Sequence, residues 1–118
     1  MSFIATFRHG KPVMIDHTPE SAISAGDVVM VQDEPRIAHK DIAAGELGAL
    51  AAGGGVYDVD KAAVEIADGV TLYWDESAEK VTTDDDSAAN KIWGRSAAAA
   101  TSEATQVRAL HDPSANGS

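Results

Sequence analysis

The chain has 118 residues, the size of a single domain, and its 19 acidic and nine basic side chains give a net charge of −10 at pH 7. This charge opposes general binding to nucleic acid, because the phosphate backbone is itself anionic. The chain has no cysteine, which excludes disulfides and thiolate metal sites. No apolar run approaches the roughly 20 residues that a membrane-spanning helix needs.

Apolar residues make up 44% of the chain, but alanine alone accounts for 22 positions and aromatic residues for only six. A buried alanine contributes little, because burial stabilises by about 25 cal/mol per Å² of apolar surface. The core is therefore expected to be thin. Self-association would bury further apolar surface and stabilise the protein.

Short runs of β-forming residues alternate with turn residues along the chain. This pattern predicts an all-β domain, a small barrel or sandwich with short turns and at most one short helix. Residues 60–65 and 96–104 could be helical or extended. We expect one domain over residues 1–111 and a flexible tail over 112–118. The predicted strands span residues 3–7, 13–16, 28–32, 36–39, 47–51, 55–59, 71–74, 80–83, 92–98 and 106–111.

A short pattern occurs three times: an isoleucine is followed three residues later by glycine and then by β-forming residues. A glycine there suits a turn with positive φ at a strand entrance, so Gly26, Gly45 and Gly69 are predicted to be structural turn glycines. The spacing is too irregular for a solenoid. The three copies read ISAGDVV at 23–29, IAAGEL at 42–47 and IADGVTL at 66–72.

No motif for catalysis, cofactor binding or metal binding is recognisable. Gly10-Lys11 lacks the flanking residues of a phosphate-binding loop, and no Gly-x-Ser-x-Gly elbow occurs. The histidines have no pair at the spacing of a local ligand pair, although distant strands could still assemble a metal-dependent hydrolase site. We therefore expect no catalytic, cofactor-binding or metal-binding residues and no cofactor. The four histidines are His9, His17, His39 and His111.

The densest aromatic patch contains Tyr73 and Trp74, which point to opposite faces of a strand. One of the two rings should pack in the core, and the other should lie at an interface or on the surface. With Trp93 they form the predicted set of core or interface aromatics. Exposed rings at these three positions would support an alternative function, a small β-barrel that binds a sugar or a protein.

The order of several short motifs from about residue 3 to residue 110 resembles that of capsid cement, or decoration, proteins of tailed phages and prophages. These motifs are AGDVV at 25–29, DIAAGELG at 41–48, GVYDVDKA at 55–62, GVTLYWD at 69–75, KVTT at 80–83 and IWG at 92–94. The set of motifs in this order carries the resemblance, since no single motif is diagnostic. The stretch from Gly53 to Gly55, the run from Asp84 to Asp86 and the polar tail depart from the family pattern.

The resemblance implies a structural virion protein without enzymatic activity. Such a protein would be made in the host cytoplasm and would bind the exterior of the phage head as a homotrimer, with the major capsid protein as its partner. It would stabilise the expanded capsid. Strong acidity agrees with this function, because it keeps the protein soluble and away from packaged DNA. Neither nucleic acid nor membrane is an expected partner.

The first residues form an alternating apolar stretch that contains Phe3, Ile4, Ala5 and Phe7. Within the implied function, this stretch could be an arm that contacts the capsid by adding a strand to it. The alternative is an ordinary first strand of the domain. Deletion of the first five residues would distinguish the two.

Overall fold

The computed structural model describes residues 4–87 and 89–113. The described residues form ten strands and no helix, which confirms the all-β prediction; segments 60–65 and 96–104 are not helical. No described segment is a helix of the length and apolarity needed to cross a membrane. The strands are β1 Ala5–Gly10, β2 Met14–His17, β3 Val28–Val31, β4 Glu34–Ala38, β5 Gly48–Ala51, β6 Gly55–Asp60, β7 Thr71–Asp75, β8 Lys80–Thr82, β9 Lys91–Ser96 and β10 Gln106–His111.

The strands form two antiparallel sheets. The larger sheet has six strands in the order β1-β6-β10-β9-β7-β8, and the smaller has four in the order β2-β5-β4-β3. Strand β6 shows how the sequence positions the larger sheet, because its residues alternate strictly between buried and half-buried. Its buried side chains, including Tyr57 and Val59, enter the core between the sheets.

Both faces of the smaller sheet are partly covered. Ile37 and Ala51 point towards the larger sheet and join the main core. Ala38 and Leu50 point the other way, because neighbouring residues of a strand face opposite sides, and they form a second small core with Ile23 and Ile42. The smaller sheet thus packs against apolar side chains on both faces.

One folding unit occurs twice in the chain. Its first copy contains β2, β3, β4 and β5, and its second contains β6, β7, β9 and β10. The order β2-β5-β4-β3 in the smaller sheet repeats as β6-β10-β9-β7 in the larger one. Equivalent main-chain hydrogen bonds occur in the two copies. In the first, Gly26 N donates to Ala38 O at 2.7 Å, and Ala38 N donates to Asp27 O at 2.9 Å. In the second, Gly69 N donates to Ser96 O at 3.0 Å, and Ser96 N donates to Val70 O at 2.9 Å.

The repeated isoleucine-glycine pattern marks the junctions of this unit. Ile23 and Ile42 bridge each other in the first copy, whereas Ile66 bridges Ala100 in the second. Residues 101–104 form a turn at the equivalent place, closed by a hydrogen bond from Ala104 N to Thr101 O at 3.2 Å. Glu103 stands at the glycine position without a positive φ, so this turn differs in type from the other three. The three predicted turn glycines have φ of 89° at Gly26, 80° at Gly45 and 78° at Gly69.

Two strands lie outside the repeated unit. β1 pairs with the outer edge of β6, and β8 pairs with β7.

Most of the tail predicted to be flexible, residues 112–118, lies outside the described residues. Of the two tail residues that are described, Pro113 is fully buried, and Asp112 N donates to Trp93 O at 3.0 Å. The packed chain thus extends to residue 113.

Candidate functional site

The four histidines lie on different elements and do not converge. His9 is exposed on β1, His17 lies on β2, His39 follows β4, and His111 is buried on β10. Within residues 4–87 and 89–113, no group of three or more histidine, aspartate or glutamate side chains is placed to hold a metal ion.

Two of the histidines belong to a cluster of rings that joins the sheets. Tyr57 is at its centre, and its hydroxyl lies 2.6 Å from His39 Nε2. The Tyr57 ring also makes edge contacts with Trp93 and His111, with centroids 5.9 and 6.0 Å apart. Burial raises the pKa of Tyr57 and lowers that of His39, so both groups are neutral at pH 7. At the surface, Phe7 packs on His39 with centroids 4.9 Å apart.

His111 links this cluster to the smaller sheet. Its Nε2 donates to the main-chain oxygen of Pro35 in β4 at 2.6 Å. Burial lowers the pKa of His111 to about 4, and its hydrogen bond to Pro35 opposes this shift only in part. The ring is therefore a neutral structural donor at pH 7. Sequence patterns do not reveal the structural role of His111 or the ring contacts of Tyr57, although the strict alternation in β6 points to a buried Tyr57.

The aromatics singled out in the sequence occupy different environments. Trp74 is 2% exposed and Trp93 fully buried, whereas Tyr73 is half-buried on the other face of β7. Both tryptophans pack in the main core. The alternative function as a sugar-binding or protein-binding module required exposed rings, and for Trp74 and Trp93 that requirement fails.

The N-terminal stretch is largely part of the larger sheet. Ala5 is buried and pairs with Val59, and Phe7 is half exposed opposite Tyr57. Ile4 is half-buried, and its oxygen accepts a hydrogen bond from Asp60 N at 2.9 Å. Phe3 lies outside the described residues. From Ala5 onwards, this stretch is an edge strand of the domain.

The exposed large apolar side chains are concentrated around β2. Val13, Met14 and Ile15 follow one another there, and Leu47 precedes β5, the neighbour of β2. Leu47 is the most exposed of them, at 71%. Large apolar side chains exposed together are typical of contact surfaces, whereas isolated ones are common on any protein.

A groove of about 500 Å³ lies beside β2. Met14 and Leu47 supply apolar walls, His39 forms one side, and Asp16 and Glu46 bring carboxylates to it. Of its other charged residues, Asp41 accepts a hydrogen bond from Ala25 N at 2.8 Å, and Lys40 brings a positive charge. The lining therefore combines apolar surface with net negative charge, a combination suited to a partner with apolar and basic side chains.

The outer edge of β2 has backbone groups that no described strand pairs. Residues of an antiparallel strand alternate between hydrogen bonding to one neighbour and to the other. Val13 bonds to the chain following β5, since its N donates to Gly53 O and its O accepts from Ala52 N. By this alternation, the N–H and C=O groups of Met14 and Asp16 point outward. Unpaired groups of this kind form a template for an added strand.

Comparison with protein families identifies a match. The model of a family described as phage cement protein matches residues 7–111 of the chain. No curated protein and no solved structure matches it. The matched residues include all of β2 to β10 and most of β1.

Proposed function

Because the chain belongs to the phage cement protein family, we propose that it binds the outer surface of the phage head as a homotrimer and stabilises the expanded capsid. The family match over residues 7–111 is the observation that carries this proposal. The partner is the major capsid protein, and the contribution is structural, with no reaction catalysed. The thin core gives the proposed trimer a physical basis, and the net charge gives one to the exterior position.

The thin core supports the proposal of a trimer. In the described chain, much of the main core comes from small or medium side chains such as Ala5, Ala51 and Ala109. Association with further copies would bury additional apolar surface and offset the thin core. Three linked copies would also bind the shell through several weak contacts at once, which raises the overall affinity without one deep site.

The net charge supports an exterior position. Three copies together would carry a formal charge of −30, from −10 per chain. Packaged DNA lies inside the shell, and a strongly anionic protein is repelled by it. The same charge keeps free protein from aggregating before assembly.

Binding to isolated shells tests the proposed function. Expanded shells prepared without this protein should bind it on mixing, and unexpanded shells serve as the control. We expect co-sedimentation with the expanded shells only, together with a higher melting temperature of the shell after binding. Protein that stays in the supernatant with both kinds of shell would refute the function.

The oligomeric state is tested separately in solution. Each chain has a mass of 12.2 kDa, so sedimentation equilibrium of a trimer should give three times this mass. A monomer in solution and on the shell would refute the trimer but leave capsid binding standing.

We further propose that the residues before β1 contribute to capsid binding. Ala5 is buried in the larger sheet, so a deletion that removes it would confuse loss of contact with loss of folding. Removal of Met1, Ser2 and Phe3 alone is the cleaner test. Weaker binding to expanded shells would support the arm, and unchanged binding would count against it.

A further inference from the structure

The repeated folding unit has an open position in one copy that is filled in the other. β2 and β6 are equivalent strands, next to β5 and β10 respectively. In the larger sheet, β1 covers the outer edge of β6 with antiparallel pairing. In the smaller sheet, β2 is an edge strand, and no described strand covers its outer edge.

The two edges can be aligned residue by residue through the pairing in each sheet. Ala38 and Ser96 are equivalent, because each bonds to the glycine turn of its own copy. The residues that pair with Ala38 in β5 and with Ser96 in β10 are therefore equivalent. The residues of β2 and β6 that pair with these two in turn are equivalent as well. The resulting equivalent positions are Leu50 with Ala109, Ile15 with Tyr57, and Asp16 with Asp58.

The aspartate pair shows what kind of strand fits this position. In the larger sheet, Arg8 of the covering strand places its Nε 3.6 Å from Asp58 Oδ2, and Arg108 binds the other carboxylate oxygen at 3.2 Å. The residue that corresponds to Arg108 in the smaller sheet is Ala49, opposite Asp16. Asp16 therefore has the equivalent carboxylate but neither arginine.

The groove lies on the same side of β2 as the Asp16 side chain. Met14 and Asp16 alternate with Ile15, so their side chains share the face that the groove occupies. A strand added to β2 would place alternate side chains over this groove. An apolar one would contact Met14 and Leu47, and a basic one would meet Asp16.

We propose that β2 accepts an antiparallel strand from the shell subunit, with a lysine or arginine at Asp16 and an apolar side chain in the groove. This inference rests on the proposed function for the source of the strand. The bond pattern and the charge preference come from the chain's own pairing of β1 with β6. β-strand addition gives affinity through main-chain bonds and specificity through alternate side chains.

Other occupants fit the edge less well. The terminal residues that the structure does not describe contain no lysine or arginine; they are residues 1–3 and 114–118. The β1 strand of a second copy is already paired with β6 in its own sheet. A second copy would also bring a further charge of −10 towards the carboxylates of the groove.

A charge reversal tests the role of Asp16. We expect Asp16→Lys to weaken binding to expanded shells at least tenfold, because it repels the basic side chain of the added strand. Glu103→Lys is the matched control, because this substitution changes the net charge by the same amount. Glu103 is exposed and does not line the groove. Equal binding of both variants would overturn the inference.

Two further substitutions separate the groove from the opposite face of β2. We expect Leu47→Ser to weaken binding, whereas Val13→Ser, also at a highly exposed position but outside the groove, should bind like the unmodified protein. Circular dichroism should show the same folded spectrum for all variants. Weakening by Val13→Ser alone would contradict the assignment of the groove.

Photo-crosslinking identifies the occupant. Benzoylphenylalanine at position 47, irradiated on decorated shells, should crosslink to the shell subunit. Crosslinks to another copy of this chain would overturn the inference and leave the proposed function intact. If the unmodified protein does not bind shells at all, the proposed function fails first, and the inference fails with it.

Discussion

Lys61 is a buried cation that holds a turn. Lys61 is the first residue after β6, and it is only 3% exposed. Nζ donates to the main-chain oxygens of Thr101 at 2.8 Å and Ala104 at 3.0 Å. These bonds fasten the fourth turn of the repeated unit, the one without glycine. A charged donor on two carbonyls is worth more than a neutral hydrogen bond.

Replacement of Lys61 by methionine should therefore destabilise the protein. Methionine keeps most of the side-chain length but removes the donor, so the carbonyls of Thr101 and Ala104 lose their hydrogen bonds, at a cost of about 1–3 kcal/mol in total. Urea denaturation measures this loss. Lys80→Met, at an exposed position, is the control and should change the free energy of unfolding by less than about 0.5 kcal/mol.

His111 makes stability depend on pH. Burial lowers its pKa in the folded protein from 6.5 to about 4. Between these values the unfolded chain binds more protons, so the free energy of unfolding falls as the pH decreases. The contribution is fully present above about pH 6.5 and is lost towards pH 4. The total loss from this group is roughly 3 kcal/mol.

Urea denaturation between pH 7 and pH 4 tests this dependence. His111→Gln retains a donor for Pro35 O but cannot titrate, so its stability should vary less with pH than that of the unmodified protein. His9→Gln, at an exposed position, should retain the original dependence. An unchanged pH profile in His111→Gln would show that other groups cause the acid sensitivity.

At the scale of elements, two glycines show different reasons for lacking a side chain. A Cβ at Gly94 in β9 would lie 2.0 Å from the main-chain oxygen of Leu110, on the paired strand β10. A Cβ at Gly69 would meet nothing within 4 Å, and only its φ of 78° disfavours a side chain. One glycine allows close approach of strands, whereas the other allows a turn.

Alanine substitution should separate these effects. Gly69→Ala should cost about 1 kcal/mol from backbone strain alone. Gly94→Ala should cost about 3 kcal/mol, because the β9–β10 pairing must shift. Thermal denaturation of the two variants gives the comparison. A smaller loss for Gly94→Ala than for Gly69→Ala would mean that the strands separate at little cost.

The positions of the strands were predictable, but their partners were not. All ten predicted strands occur, with ends displaced by at most three residues. Turn residues and alternation are local signals, so they identify strands well. The exposure of β2 depends instead on its pairing with β5, as in Met14 with Ala51, which are far apart in sequence. The sequence alone therefore did not indicate the open edge beside the groove.

At the scale of the whole molecule, the two copies of the repeated unit share one core. Ile37 and Ala51 of the smaller sheet pack in the same cluster as Leu72 and Val107 of the larger. The His111 bond to Pro35 also crosses between the sheets. The first copy alone encloses only a small core, since the cluster that it forms by itself has four buried residues among those described.

Unfolding should therefore be a single cooperative transition despite the duplication. Both tryptophans lie in the larger sheet, so their fluorescence reports on that sheet, whereas far-ultraviolet circular dichroism reports on both. The two signals should give the same urea midpoint. Different midpoints would mean that the smaller sheet unfolds separately.

The additional strand β8 has a practical consequence. In the first copy, β3 and β4 are joined directly by Gln32 and Asp33, whereas β7 and β9 are separated by β8 and an acidic loop. The fold thus accepts extra chain at this junction without disturbing the shared strand order. A peptide tag or passenger domain inserted between Glu76 and Glu79, in an exposed turn, would leave the groove and the edge of β2 unaltered for labelling or display.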